Sequence, residues 1–349
     1  RLQALALSHQ TSPWMGDRQT FQFMPSRDRG VPEADRQARA LAFDRKTEIA
    51  RPHLYQVRFD NGIEAALAPT DHAAVFEFAF PGDGDANLLF DNVDARGGLQ
   101  LDAATGTLTG YTDVRSGLST GATRMFVVAR FDTPWRDSGT LDTGRPTGYI
   151  KFDVDGAHTV RMHVATSLIS VEQAWHNLAL EMDEGDTVAS VSERARTRWD
   201  ALLGRFEVEG ASDDQRTTLY SNLYRLFLYP NSGAENAGSA TQPDWRYASQ
   251  MSSADDNAEG NARRTFAPVR DGRIVINNGL WDTFRTAWPA YALFAADNAG
   301  ALVDGFLEQY RAGGWLARWS SPGYADLMVG TSTDVAFADA WRQGVTDFD

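Results

Sequence analysis

The hydrophobic repeat of this 349-residue chain changes once, and that change limits what each half can fold into. Up to about residue 166 apolar residues recur at every second position, and beyond Ser170 they recur every three to four. The first period suits a strand with one buried face and the second an amphipathic helix. Tyr55, Val57 and Phe59 alternate up to Asn61-Gly62, and Ile63, Ala65 and Leu67 alternate away from it. Asn-Gly between alternating runs predicts a tight hairpin with both turn residues at positive φ. Phe76, Phe78 and Phe80 form an aromatic ladder. Met125-Phe126-Val127-Val128, Tyr149-Ile150-Lys151-Phe152 and the Val160, Met162, Val164 alternation follow, separated by turns rich in Gly and Asp. Repeated antiparallel strands at this spacing predict a large β-sandwich.

In the second half Ser170 and Gln173 have the spacing of a capping box, as do Ser212 and Gln215. Between them Val188, Val191, Ala195, Trp199 and Leu202 share one helical face. Leu219, Leu223 and Phe227 form the stripe of a third helix that stops at Pro230. Further helices are expected at about 281–296, 300–312 and 334–345, while the polar stretch 231–275 reads as a long loop. Arg1 leads straight into a strand-like alternation, and the final segment carries no capping signal, so both ends read as truncations.

Composition narrows the function classes. With 42% hydrophobic and 23% charged residues the chain is globular, and it is long enough for two cores. A formal charge of −14, from 47 acidic against 33 basic side chains, repels phosphate backbones and argues against a nucleic-acid partner. No apolar run suits a membrane span, and no obligate protein partner is evident. The absence of Cys excludes disulfides and thiolate chemistry. Ten Trp supply either core packing or stacking platforms for sugar rings.

The densest chemical motif is Trp281-Asp282-Thr283-Phe284-Arg285-Thr286-Ala287-Trp288-Pro289. On a continuous helix Asp282 and Thr286 share one face, and Trp281 and Arg285 the adjacent one. Indole rings can take the apolar face of a sugar while the charged groups take its oxygens. The same spacing also fits an intrahelical ion pair beside two core tryptophans. The segment Ser8-His9-Gln10-Thr11-Ser12-Pro13-Trp14-Met15-Gly16-Asp17 gathers hydrogen-bonding groups and an aromatic in one loop, which suits either ligand binding or closure of the sandwich edge. Asp71-His72 reads as a charge pair or as a strand end satisfying local backbone groups. Two calcium-like stretches are discounted as solvated loops. Asp255, Asn257, Glu259 and Gly260 have Phe266 where the bidentate acid belongs, and Asp83, Asp85 and Asn87 lack the glycine. Glu207 and Glu209, on a short strand-like stretch, read as surface charges.

These residues resemble glycoside hydrolase family 92, the exo-acting α-mannosidases. The similarity runs in order from Ser8-His9-Gln10 and Met24-Pro25 through Ala50-Arg51-Pro52, Ala68-Pro69-Thr70-Asp71-His72 and Phe90-Asp91-Asn92. It continues with Ser167-Leu168-Ile169-Ser170, Glu172-Gln173-Ala174, Asn177-Leu178, Leu223-Tyr224-Arg225 and Tyr229-Pro230. Trp281 to Thr286, Gly330-Thr331-Ser332 and Asp339-Ala340 complete it, with Ala317 standing where the family often has Pro.

The resemblance implies a multidomain β + α fold: an N-terminal β-sandwich over 1–169, a helical linker over 170–205, and the first part of an (α/α)6 barrel over 206–349. It implies hydrolysis of terminal α-linked mannose, commonly α-1,2, with inversion and a calcium ion (Ca2+) that binds mannose hydroxyls and helps distort the ring. Inversion needs a carboxylic acid for the leaving oxygen and a separated carboxylate to activate water. Trp281, Asp282 and Arg285 would line the mannose subsite, and His9, Trp14, Gly16 and Asp17 would reach over from the sandwich, so the site would lie between the domains. The catalytic pair and most calcium ligands are expected beyond Asp349, leaving this piece inactive. The partner would be a mannose-containing glycan and the address periplasmic or secreted. The competing expectations are a non-catalytic mannoside-binding module and a structural sandwich of a surface assembly.

Overall fold

A computed structural model of the chain describes residues 1–8, 20–82, 84–114, 124–251 and 260–349. Its first half forms two antiparallel sheets. The five-stranded sheet runs β1 (Leu5–Leu7), β2 (Phe21–Ser26), β7 (Asn87–Asn92), β12 (Thr147–Phe152), β11 (Trp135–Thr140). The eight-stranded sheet begins β3 (Ile49–Arg51), β4 (Leu54–Arg58), β5 (Glu64–Pro69), β6 (Ala73–Phe80). It continues β13 (His158–Ser167), β10 (Met125–Phe131), β9 (Thr107–Thr112), β8 (Gly97–Asp102). The inner faces meet in one core, where Phe23, Phe90 and Ile150 of the first sheet face Phe76, Phe78 and Val160 of the second. Phe23 meets Phe76 edge to face with ring centres 4.8 Å apart. Burying each such side chain stabilises the fold by about 1.5–3 kcal/mol.

The Asn61-Gly62 hairpin joins β4 to β5 in the register that the alternation requires, with Tyr55 opposite Leu67 and Val57 opposite Ala65. Its turn differs from the expected one. Phe59 N–H donates to the Ile63 carbonyl at 2.8 Å and Gly62 N–H to the Phe59 carbonyl at 2.9 Å, closing a three-residue loop. Only Gly62 takes positive φ, at 86°. Asn61 uses its side chain to accept from Ile63 N–H instead, at 3.2 Å.

The unbroken apolar run of β10 is explained by a second apolar layer. Met125 and Val127 face the sandwich interior, while Phe126 and Val128 face outward against α1 (Val171–Glu181) and α2 (Val188–Leu203). Both faces of the strand are buried, so the period-two signal disappears there. Ser170 caps α1 by accepting from Gln173 N–H at 3.0 Å, but Gln173 does not complete the box. Its amide turns to Asn177 Oδ1 and the Asn236 carbonyl, both at 2.9 Å. Helix α3 (Asp213–Leu226) has the full Ser212–Gln215 box. Glu207 and Glu209 are exposed in an irregular stretch before it, not a strand.

The stretch read as a long loop contains short strands instead. β14 (Asn231–Ser232) pairs with β18 (Val275–Ile276), and β15 (Glu235–Asn236), β16 (Trp245–Ala248) and β17 (Val269–Asp271) form a small sheet. Strands of two to four residues are too short to show a period. They bring this segment back to the sandwich, where Val171 N–H bonds to the Arg263 carbonyl at 2.9 Å and Thr265 N–H to the Ile169 carbonyl at 3.0 Å. A third small sheet holds β19 (Asn278–Gly279), β20 (Trp319–Ser320) and β21 (Tyr324–Ala325). The expected helix at 281–296 is broken into α4 (Leu280–Thr283) and α5 (Ala287–Phe294). Helices α6 (Ala296–Gly313) and α7 (Ser332–Arg342) follow, and pack with α5 around Trp288 and Phe306. The fold is a β-rich N-terminal domain followed by a helical region.

Candidate active-site elbow and domain seam

The Trp281–Trp288 motif forms an elbow, because Thr286, at φ −128° and ψ −81°, leaves the helical region between α4 and α5. Asn278 ties the two arms together. Its Oδ1 lies 2.8 Å from the Thr283 hydroxyl on α4 and accepts the Trp288 indole N–H on α5 at 3.3 Å. The bend separates the two tryptophans: Trp288 is only 1% exposed in the helical core, whereas Trp281 is 45% exposed. Neither the continuous-helix reading nor the ion-pair reading holds. Asp282 and Arg285 are both exposed, and Arg285 lies over the Phe284 ring, 4.7 Å from its centre. Asp282 has no ion-pair partner among the described residues.

Gly279 shows what Asp282 faces. A Cβ placed on this glycine would sit 3.0 Å from Asp282 Oδ2 and 3.3 Å from the Trp319 indole. The carboxylate and the indole therefore both pack against the face of this glycine, where a side chain would have no room. A hydrogen-bond acceptor beside an aromatic face is chemistry suited to a sugar ring and its hydroxyls. Trp319 carried no signal as a site residue in the sequence. It reaches the elbow only through the two-residue pairing of β19 with β20, with Gly279 opposite Trp319. His9, Trp14, Gly16 and Asp17 lie outside the described residues, as do Asp83, Asp255, Asn257 and Glu259. Of the discounted calcium-like stretch, Asp85 pairs with Arg136 at 3.0 Å and Lys151 at 3.3 Å, and Asn87 is buried in β7; neither is solvated loop.

A second polar cluster lies where the halves meet. His72 was expected to pair with Asp71 or with local backbone, but its partner is Glu181, 109 residues away on α1. Glu181 accepts from His72 Nδ1 at 2.8 Å, His72 N–H at 2.8 Å and the Thr70 hydroxyl at 2.6 Å. Burial alone would lower the His72 pKa, but the Glu181 hydrogen bond and the nearby Glu235 charge outweigh it and push it up to about 9. Burial raises the Glu181 pKa, and the His72 and Thr70 hydrogen bonds overcome this to hold it below the ordinary carboxylate range. Glu235 of β15 is fully buried, which pushes its pKa up. It accepts from Leu168 N–H at 2.7 Å and from Asn177 Nδ2 at 2.8 Å.

Among the described residues no three His, Asp or Glu side chains gather to hold a metal ion. Among the same residues no helix is long and apolar enough to cross a membrane.

The chain resembles known proteins along its whole length. Residues 1–167 match the glycosyl hydrolase family 92 N-terminal domain, and residues 173–349 match the family's catalytic domain. The fold superposes with a TM-score of 0.89 on an inverting mannosidase of this family from Bacteroides thetaiotaomicron, 29% identical, covering 99% of this chain. An α-mannosidase of the family from the same organism shares the fold with a TM-score of 0.79 over 94% of the chain, at 18% identity. The chain spans about half the length of these two solved relatives, 46% of each. An uncharacterised secreted glycosidase of the fungus Arthroderma benhamiae is 24% identical over 229 residues, 55% of this chain and 30% of that protein. With both domains matched in order, the chain belongs to glycosyl hydrolase family 92.

Proposed function

We propose that the complete protein carrying this chain hydrolyses terminal α-linked mannose, of α-1,2 linkage, from exported or extracellular glycans with inversion at the anomeric carbon. The observation that carries this reading is the elbow, where the exposed Asp282 carboxylate and the Trp319 indole both lie against Gly279 in a chain of glycosyl hydrolase family 92. Asp282 accepts hydrogen bonds from sugar hydroxyls, and Trp281 and Trp319 cover apolar ring carbons. Contacts that shorten as the ring flattens toward an oxocarbenium ion lower the barrier, because they are stronger in the transition state than in the ground state. The general acid and base are not assigned to any residue of this chain. Calcium belongs to the reading through the family, supplying charge to the sugar hydroxyls when bound, and no step here is built on it. Helices α3 to α7 form the opening part of an (α/α)6 barrel on the same reading.

The test is mannose release from an α-1,2-linked mannobiose by the complete protein, repeated after chelation and with Asp282→Ala. The expected result is turnover that chelation abolishes and that the substitution lowers at least about a hundredfold in kcat/KM. Mannoside binding without turnover would favour a binding module instead. Near wild-type kcat/KM for the variant would remove Asp282 from the site.

A further inference from the structure

Asn278 lies outside the Trp281–Pro289 motif, yet the elbow hangs on it. Its residue is buried in the two-residue strand β19, and its backbone is fixed from both sides. Just before it Asn277 takes the left-handed conformation, at φ 64°, which asparagine tolerates better than most residues. Asn277 Nδ2 donates to Asn231 Oδ1 at 2.8 Å, tying this turn to β14. Across the pairing Ser320 stands opposite Asn278, and its hydroxyl oxygen accepts from Gln309 Nε2 of α6 at 2.9 Å. Gln309 is fully buried and also donates to the Val275 carbonyl of β18. On the other arm Trp288 is equally fixed, with its ring 5.3 to 5.9 Å from those of Tyr291, Phe306 and Phe337.

Helix α4 lies between these two anchors and cannot hold its own geometry. It has four residues and no side-chain cap, far short of what an isolated helix needs. An indole N–H can only donate, so the Asn278 amide turns its oxygen toward Trp288. The Thr283 hydroxyl of α4 is shared between that same oxygen, at 2.8 Å, and the Gly279 carbonyl, at 2.9 Å. Asp282 is the next residue along. Successive residues of a strand face opposite ways, so Asn278 points away from the side of Gly279 against which Asp282 lies.

We propose that Asn278 is the positioning residue of the elbow: by holding Thr283 and Trp288 on one oxygen it sets where the Asp282 carboxylate stands. It acts through α4 and not by contact with the sugar. The role rests on the hydrolysis reading, in which Asp282 meets the sugar hydroxyls. A contact that strengthens toward the transition state is sensitive to placement, and a shift of about 1 Å costs up to about a hundredfold in rate.

The experiment is a double-mutant cycle on kcat/KM of the complete protein with α-1,2-linked mannobiose. Asn278→Ala is expected to lower kcat/KM about tenfold or more, mainly through kcat. In the Asp282→Ala background the same substitution is expected to cost less than about threefold, because the group it positions is already gone. Asn278→Asp keeps an acceptor for both donors and is expected to recover most of the loss. Thr283→Val removes only the α4 bond and is expected to act in the same direction, so the test stands even where Asn278→Ala does not fold. A large loss with Asp282→Ala beside wild-type activity of Asn278→Ala or Thr283→Val, or losses that simply add in the cycle, would overturn the positioning role and leave the hydrolysis reading intact. Mannobiose binding without turnover by the wild type would overturn the hydrolysis reading; the cycle is then read on Kd, where non-additive losses keep Asn278 in its role and additive ones remove it. Neither turnover nor binding would overturn both.

Discussion

The sandwich interior and the seam between the two halves are held by opposite chemistry. Inside the sandwich Phe23, Phe76, Phe78 and Phe90 pack ring against ring. At the seam Glu235, Asn177 and Gln173 are joined by hydrogen bonds, and Glu181 bonds separately to His72. Apolar packing is non-directional and tolerates small shifts. A buried polar network is directional, and losing one member leaves its partners unpaired. The comparison teaches that the core supplies stability, whereas the seam fixes how the β14–β18 segment sits on the sandwich.

The largest expected effect comes from the core. Phe78→Ala removes a fully buried ring and should cost about 3–5 kcal/mol in denaturant unfolding. A loss below about 1 kcal/mol would mean that the two sheets are not packed as described. Asn177→Ala, at the seam, takes donors from the Thr166 carbonyl and Glu235 and an acceptor from Gln173, for about 1–3 kcal/mol. An effect equal to that of Phe78→Ala would erase the distinction between the regions.

The pH dependence sharpens the comparison, since the His72–Glu181 pair at the seam titrates and the aromatic core does not. Folding raises the His72 pKa from 6.5 to about 9. Its stabilisation is therefore complete below about 6.5 and lost as pH rises through about 9. Folding lowers the Glu181 pKa below 4.5, so its contribution is present above that value and lost as pH falls further. The melting temperature should decline by a few degrees between pH 6.5 and 9, and Glu181→Gln should flatten the decline. An identical profile in that variant would remove the His72–Glu181 pair from the account. The smallest effect belongs to neither region. Ser212→Ala removes one cap of the exposed α3 box, for about 1 kcal/mol by thermal unfolding.

The same contrast explains what could be read in the sequence. The sandwich strands and the β4–β5 register follow from alternation, because each strand's pattern is local. Helices α1 to α3 follow from caps and stripes for the same reason. The α4–α5 break was not legible, since it depends on Asn278 holding Thr283 and Trp288. Nor was the seam: Glu181 lies 109 residues from His72, and Glu235 lies 58 from Asn177. Of the candidate site, Trp281 and Asp282 stood out by composition, whereas Trp319 and Gly279 meet Asp282 only through a two-residue pairing.

The most direct test of the central claim is a proton NMR time course of α-1,2-linked mannobiose with the complete protein. The account predicts that the β-anomer of mannose appears first and the α-anomer only later, by mutarotation. Initial release of the α-anomer, or no release of mannose, would contradict it.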